Sequence, residues 1–396
     1  MLKRCITLPV NKTILHIAPT PFFSDRGCHI RIEGIVRCLT ELGYDNTVCT
    51  YHHGRDIQGV NTKRIKSIAK YTQTAAGPSK YKLLADWRLL ILTIKEYRRL
   101  KPATIHAHLH EGLLIGLLVK WLFFWRRTHL LGDMQGSLTG ELEAHGTFRK
   151  KPYLKLPLKI LEWCLMKFAN QIICSSQHSV DKIQHDFSVD SNKISLAQDG
   201  ADVSTQLTAS QKSELRTQLN LPSDRTIVVY SGALLDSKGL KDLKVIIKNA
   251  DPKTTHFLII GYPTNNLQDF LNYEQLQSRC TLTGQIEFED LGNYLNLAQI
   301  AIDPKQNDSG EGSGKMLNYL ACGLPVLAFN TINNRDFLPT GTQLADNTEQ
   351  LNQLINELSC DEAKRRKMSK LNLDQFNNHY SWNVCKQQLK DVYANH

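Results

Sequence analysis

Several chemistries are missing from this 396-residue chain before any element is assigned. Its ten cysteines include no Cys-x-x-Cys pair and no ladder of alternating His and Cys. That pattern argues against structural zinc and against a disulfide scaffold. Most of the cysteines stand in apolar runs, where a free thiol packs as a small hydrophobe, and this suits a reducing cytoplasm. No complete G-x-G-x-x-G follows a strand, which sets aside a nicotinamide cofactor. No apolar run approaches the roughly 20 residues of a spanning helix. The nearest, Leu113 to Trp125, is broken by Lys120 and reads as a buried or interfacial helix. The first residues lack the apolar centre of a secretory leader. Internal repeats and low-complexity tracts are absent too.

What is present is enough chain for two ordinary domains, each able to bury its own core. The net charge is +10, and it is concentrated. Residues 60–130 carry fourteen Lys or Arg against three Asp or Glu, so this stretch alone accounts for the whole excess. A local basic surface of this kind suits a polyanionic partner, either anionic lipid or nucleic acid. A nucleic acid would require aromatic platforms among the charges or a recognised module, and neither is found.

The first half alternates strands and helices. "TILHIAP" (13–19) is a strand, a glycine loop at Gly27 enters a helix, and "NTVCTYH" is the second strand. This is a Rossmann-like opening. After Pro78–Ser79 a helix runs to about Leu100, with Leu83, Trp87, Leu90, Ile91 and Ile94 expected to pack on the core. "TIHAHLHEG" places His106, His108 and His110 at alternate positions of a strand end, a face able to bind metal but without an acidic or cysteine ligand pattern beside it. "THLLGDMQG" is a further strand whose carboxyl end carries Asp133 and Gln135, at the edge where open α/β sheets hold ligands. Gln135 can donate and accept hydrogen bonds but cannot act as a base; Asp133 can. A polar stretch from about Val203 to Arg225 then reads as a linker, mostly a solvated helix with no apolar run, and the domain boundary is expected there.

The second half restarts the pattern with "TIVVYSG", "THFLIIG", "CTLTGQI" and "IAIDP". Its centre is "NDSGEGSGKMLNYLACGLPVLAFN", residues 307–330. Glycines at 310, 312 and 314 open a short helix whose stripe is Met316, Leu317, Leu320 and Ala321. Cys322–Gly323 ends it, Pro325 prevents continuation, and an apolar strand follows. A glycine loop opening a helix is a phosphate-binding arrangement, because first-turn N–H groups lack partners.

That stretch resembles the donor-sugar motif of retaining glycosyltransferases of family 4. The tail Ala321-Cys322-Gly323-Leu324-Pro325-Val326 fits closely, and Glu311 stands at the first acidic position. The second acidic position holds Asn318, one residue early. "SGALLDSKGLKDL" resembles the family's diphosphate motif through Gly232, Lys238 and Gly239, with Ala233 in place of Arg. "TGQIEFEDL" resembles the segment that cradles the nucleotide base near Gln285 and Ile286. Gln135 stands where the family often has His. "KISLAQDGAD" and the helix from Tyr380 resemble the segments that leave and rejoin the first domain.

The resemblance runs along nearly the whole chain in order. It implies an α/β fold of GT-B type, two doubly wound Rossmann-like domains facing across a cleft. The expected domains are 1–202 for the acceptor and 203–379 for the donor, with a C-terminal helix of about 380–396 packing back on the first. The implied activity is that of a hexosyltransferase: transfer of a sugar from a nucleotide-diphosphate donor to a saccharide or lipid-linked acceptor, with retention, in envelope or exopolysaccharide glycan synthesis. Lys238, Lys315 and the Gly310, Gly312, Ser313 and Gly314 backbone would neutralise the leaving diphosphate, with Gly27 beside it. Glu311 would face the sugar, helped by Gln135 or Asp133, and Asn318 would contact the ribose. The nucleotide sugar is then a co-substrate, with no separate cofactor and no metal. The expected location is cytoplasmic, peripheral to an anionic inner membrane face. Ala233, Asn318 and Gln135 also allow a non-catalytic sugar- or partner-binding subunit. A nucleotide-sugar epimerase fits less well, because carboxylates are sparse around these motifs.

Overall fold

The computed structural model describes residues 12–24, 27–71, 80–144, 147–201, 207–306 and 314–394. It divides into two units, with the chain leaving the first after Gln198 and rejoining it at Cys385.

The first unit is a parallel sheet of β1 (Thr13–Ala18), β2 (Asp45–Thr50), β3 (Thr62–Arg64), β4 (Thr104–His108), β5 (His129–Met134), β6 (Gln171–Cys174) and β7 (Ile194–Leu196). The order β3-β2-β1-β4-β5-β6-β7 reverses between β1 and β4. Helices α1 (Gly27–Glu41), α2 (Lys82–Leu100), α3 (Leu109–Leu122), α4 (Leu138–Ala144), α5 (Thr147–Lys150), α6 (Lys155–Phe168) and α7 (Gln177–Phe187) connect and cover it. Strands β1, β2, β4, β5 and β6 are buried along nearly their whole length, as expected of parallel strands covered by helices on both faces. Leu15, Ile17, Ile105, Ala107, Leu130 and Ile172 are fully enclosed.

Two expectations change here. The stripe Leu83, Trp87 and Ile91 of α2 does not face the core: the buried positions are Ala85, Leu89, Thr93 and Tyr97. Helix α2 is apolar on two sides: Leu90 and Ile94 of the expected stripe do pack partly against the core, while Leu83, Trp87 and Ile91 stay exposed. The three-histidine strand face also ends early. Strand β4 stops at His108, Leu109 takes φ 62°, and His110 enters the first turn of α3.

The second unit has five parallel strands, β8 (Thr226–Ser231), β9 (Thr255–Ile260), β10 (Cys280–Gly284), β11 (Ile300–Asp303) and β12 (Val326–Ala328), in the order β10-β9-β8-β11-β12. Its helices are α8 (Ala209–Gln218), α9 (Leu240–Asn249), α10 (Asn265–Tyr273), α11 (Leu291–Leu295), α12 (Gly314–Ala321), α13 (Ile332–Phe337), α14 (Thr348–Cys360) and α15 (Glu362–His379). The stretch expected as a linker, mostly a solvated helix, does carry a helix, α8, but its flank packs on this unit. Thr208 and Gln211 form a reciprocal capping box on α8, and Leu215, Leu219 and Leu221 pack against the core. The last helix, α16 (Trp382–Ala394), sends its later residues to the first unit. There Lys386 pairs with Glu41 at 2.7 Å, Gln388 bonds Gln198, and the Tyr393 hydroxyl lies 2.8 Å from His106 Nδ1.

Candidate functional site

In the second unit the strand order reverses between β8 and β11, and ligands of open α/β sheets bind beyond the carboxyl ends of strands at such a point. Gly232, Lys238, Gly239, Gly314 and Lys315 of the predicted donor residues stand at the ends of the elements that meet there. Gly232 follows β8; its N–H donates to the Ile260 carbonyl at 2.9 Å. A side chain on the neighbouring Gly261 would sit 1.9 Å from the Gly232 carbonyl oxygen, so the two strand ends touch through bare backbone. Lys238 closes a short turn, Asp236–Lys238, and is half-buried. Gly239 enters α9 at φ +91°, with its missing Cβ only 2.3 Å from the Pro304 carbonyl oxygen beyond β11. Only glycine meets both conditions.

Across from this loop, α12 opens at Gly314, which has open space around its Cα. The ammonium of Lys315 lies 2.5 Å from the Asp303 carboxylate at the end of β11 and 4.8 Å from the centre of the Tyr230 ring. Lys315 therefore has a built-in counter-ion, which the sequence reading missed. The Tyr319 hydroxyl takes the backbone N–H of Ser231 at 2.7 Å, tying α12 to the end of β8. Burial pushes the Tyr319 and Tyr230 phenols upward, so both remain neutral, Tyr319 accepting from Ser231 and Tyr230 donating to the Ala233 carbonyl. Asn318 is buried on α12. Gln285 is exposed just past β10, and Ile286 packs partly on the core. Glu311, Gly310, Gly312 and Ser313 lie outside the described residues.

The predicted residues of the first unit occupy a different setting. Gly27 is the exposed first residue of α1, with no atom near its Cα substituent position. Asp133, at the end of β5, is fully buried. Its Oδ1 accepts from Arg31 Nε at 2.9 Å and Nη2 at 2.7 Å. Its Oδ2 lies 2.8 Å from His108 Nδ1 and accepts from Gln135 Nε2 at 3.3 Å. Burial alone would raise this carboxyl group; the Arg31 guanidinium and the His108 hydrogen bond outweigh it and hold it well below the usual carboxylate range. A carboxylate so committed is a fixed anion. Arg31 also donates to the Ala197 carbonyl at 2.8 Å, just before the chain leaves the unit. Sequence reasoning passed over Arg31, whose only signal was a cation on an otherwise apolar helix face.

The histidines that meet are His16, His106 and His108, with ring nitrogens within 4.8 Å of one another. Asn46 Nδ2 donates to Thr40 and to the Tyr44 carbonyl, so its oxygen must face His16 Nε2, 3.0 Å away. His16 therefore carries its proton on Nε2 and accepts on Nδ1 from His108 Nε2 at 3.1 Å. The His16 and His108 rings lie 5.4 Å apart and only 13° from parallel. With that nitrogen separation they lie end to end, sharing the hydrogen bond between His108 Nε2 and His16 Nδ1. Burial, then the neighbouring His108, lowers His16 to about 3.

The loop after Gln135 is anchored from α6. Glu162, almost wholly buried, accepts from Ser137 Oγ at 3.0 Å, Leu138 N at 2.9 Å and Thr139 Oγ1 at 2.8 Å. Burial would raise this carboxyl group, but His110 and these hydroxyls bring it to about 2. Its sequence signal was a lone acid inside the run "KILEWCLMKF".

Comparison with known proteins adds to this geometry. A family model described as Glycosyltransferase Family 4 matches residues 26–205, and one described as Glycosyl transferases group 1 matches residues 211–372. The chain is 22% identical to a D-inositol 3-phosphate glycosyltransferase of Corynebacterium kroppenstedtii, across 93% of this chain and 84% of that one. Sucrose-phosphate synthase of Thermosynechococcus elongatus superposes with a TM-score of 0.80 at 16% identity, covering 97% of this chain and 98% of that one. Anabaena HepE, in complex with UDP and glucose, gives 0.77 at 15% identity, over 97% and 100%. At such identities these likenesses speak for the fold, two Rossmann-like domains of GT-B type.

Proposed function

The chain belongs to the group 1, family 4 glycosyltransferases, and on that footing we propose that it moves a sugar from a nucleotide-diphosphate donor to a saccharide or lipid-linked acceptor with retention at the anomeric carbon. The observation that carries the donor half is the meeting, at the β8/β11 switch point, of bare glycine backbone, Lys238, and the opening turn of α12 with Lys315. Such a site suits a diphosphate: unpaired first-turn N–H groups and ammonium ions stabilise the charge that develops as the sugar departs. Asp303 holds the Lys315 ammonium at the end of β11, so that charge is positioned before the donor arrives. Glu311 is assigned to the face of the transferred sugar, Asn318 to the ribose and Gln135 to a sugar hydroxyl. Asp133 fits a positioning role better than that of a base, because its oxygens are already engaged. The cations and helix terminus take the place of a metal, and the nucleotide sugar is consumed as a co-substrate. HepE, a structural relative, binds UDP, which supports a nucleotide diphosphate here. The basic 60–130 region supports an acceptor carried on an anionic membrane face, in envelope or exopolysaccharide synthesis.

The test is thermal shift against UDP, GDP, ADP and their sugars. A ligand at a hundredfold excess over its Kd adds about 2.7 kcal/mol, or roughly 5–11 °C for a domain of this size. One nucleotide should produce that shift, and Lys238→Ala should abolish it. No shift with any of them would overturn the donor-site assignment.

A further inference from the structure

We propose that the outer face of α2, α3, the turn Phe124–Arg126 and α6 is a docking surface for the interface of an anionic lipid bilayer. This deepens, and rests on, the reading of a membrane-borne acceptor. The apolar side chains that the core does not use point outward. Leu83 is 81% exposed and Trp87 60%, one turn apart on α2. Phe124 is 76% exposed and Trp125 62%, in the turn after α3. On α6, Leu156, Ile160 and Trp163 recur at helical spacing and are all exposed.

These elements form one layer. Helix α3 packs against both α2 and α6. The Trp121 ring at its end meets Phe168 of α6 edge to face at 5.9 Å, and Arg98 of α2 lies over Phe123 at 5.5 Å.

Charge identifies the occupant. Every exposed charge on these elements is positive: Lys95, Arg98 and Arg99 on α2, and Lys155, Lys159 and Lys167 on α6. Their four acids are each engaged within the unit, and the exposed Glu143 of α4 pairs with Lys155 at 3.0 Å. Asp86 accepts from Tyr51, Glu96 pairs with Arg99, Glu111 pairs with Lys82, and Glu162 is buried under the β5–α4 loop. A second copy of this face would oppose cations to cations, and a nucleic acid would leave Leu83 and Leu156 in water. An anionic interface satisfies both features, since aromatic rings rest at headgroup depth while Lys and Arg stems reach the phosphates. No helix among the described residues is long and apolar enough to cross a membrane, so the contact is one of lying on the surface.

The experiment is flotation of the full chain with vesicles of phosphatidylcholine alone or with a third phosphatidylglycerol. Binding should require the anionic lipid and weaken with salt. Lys95→Glu with Lys159→Glu should lower the partition coefficient at least tenfold, from about fivefold per charge removed. Phe124→Ser with Trp125→Ser should lower it comparably even at low salt, which a purely electrostatic contact would not. All these sites are exposed, so an unchanged melting midpoint confirms that each variant is folded. Failure of the parent to bind, or variants that bind like the parent, would overturn the proposal. A dimer in sedimentation that the Ser variant abolishes would also overturn it, giving the face to a second copy. The nucleotide shift is read in the same samples; if it persists while flotation fails, the transferase reading stands and only the membrane inference falls.

Discussion

Replacing Asp133 with Asn tests whether this carboxylate is a reacting group or an anchor. Both oxygens are committed in the fold, and the Arg31 guanidinium they neutralise is only 2% exposed. The amide keeps the shape but removes the charge, and its NH2 must face a donor, either Arg31 or His108. Removing one partner of a buried ion pair costs about 3–5 kcal/mol, because the other charge stays desolvated and unpaired. For a unit of roughly 200 residues, each kcal/mol lowers the midpoint by about 2–4 °C, so Asp133→Asn should melt about 6–20 °C lower. Arg31→Met should cost a similar amount. The double variant should cost much less than the sum, since no orphaned guanidinium remains. The assay is thermal unfolding by circular dichroism, with nucleotide titration as a control on the second unit, whose response should be unaltered at temperatures where both units are folded. A midpoint within 2 °C of the parent together with abolished transfer would refute the reasoning, because Asp133 would then be reachable chemistry rather than a buried counter-ion.

Gly239→Ala should disturb the donor site from its backbone. The new Cβ would meet the Pro304 carbonyl oxygen at 2.3 Å in a left-handed residue, forcing the β8 and β11 loops apart. The expected loss is about 2 kcal/mol or more of stability, with at least tenfold weaker nucleotide binding by titration. Gly314→Ala, with no atom within 4 Å of the new carbon, should keep the parent midpoint. Acid should unfold the first unit early. His16 stays neutral in the fold until about pH 3 but takes a proton near 6.5 once unfolded, and buried His106 is lowered likewise. The unfolded chain therefore binds the extra protons in that window, and stability falls as pH drops through it by about 1.4 kcal/mol per pH unit for each group. Midpoints measured from pH 7 to 4.5 should show this slope, and His16→Gln should remove roughly half of it; an unaltered slope would contradict the assignment.

The features that could be read from the chain were those set by near neighbours. Apolar runs such as "TIVVY" and "FLII" announce strands buried on both sides, and Cys322, Gly323 and Pro325 end α12 by local stereochemistry. What could not be read was set by register between distant strands. His106 meets His16 because β1 and β4 pair at that position, while His110, two residues from His108 in sequence, turns away into a helix. Arg31 and Asp133 are 102 positions apart, and no local pattern marks either as the other's partner. The same limit applied to charge and to apolar stripes. Composition counted fourteen cations against three acids in residues 60–130 but could not say which side each acid takes. The fold turns Asp86, Glu96 and Glu111 toward partners within the unit, so the exposed face is more uniformly positive than the count. It also gives the sheet Ala85, Leu89 and Thr93, which leaves Leu83, Trp87 and Ile91 outside. A helix that looked like ordinary core thus becomes, once its inner face is known, the part of the surface best suited to an amphiphilic, anionic partner.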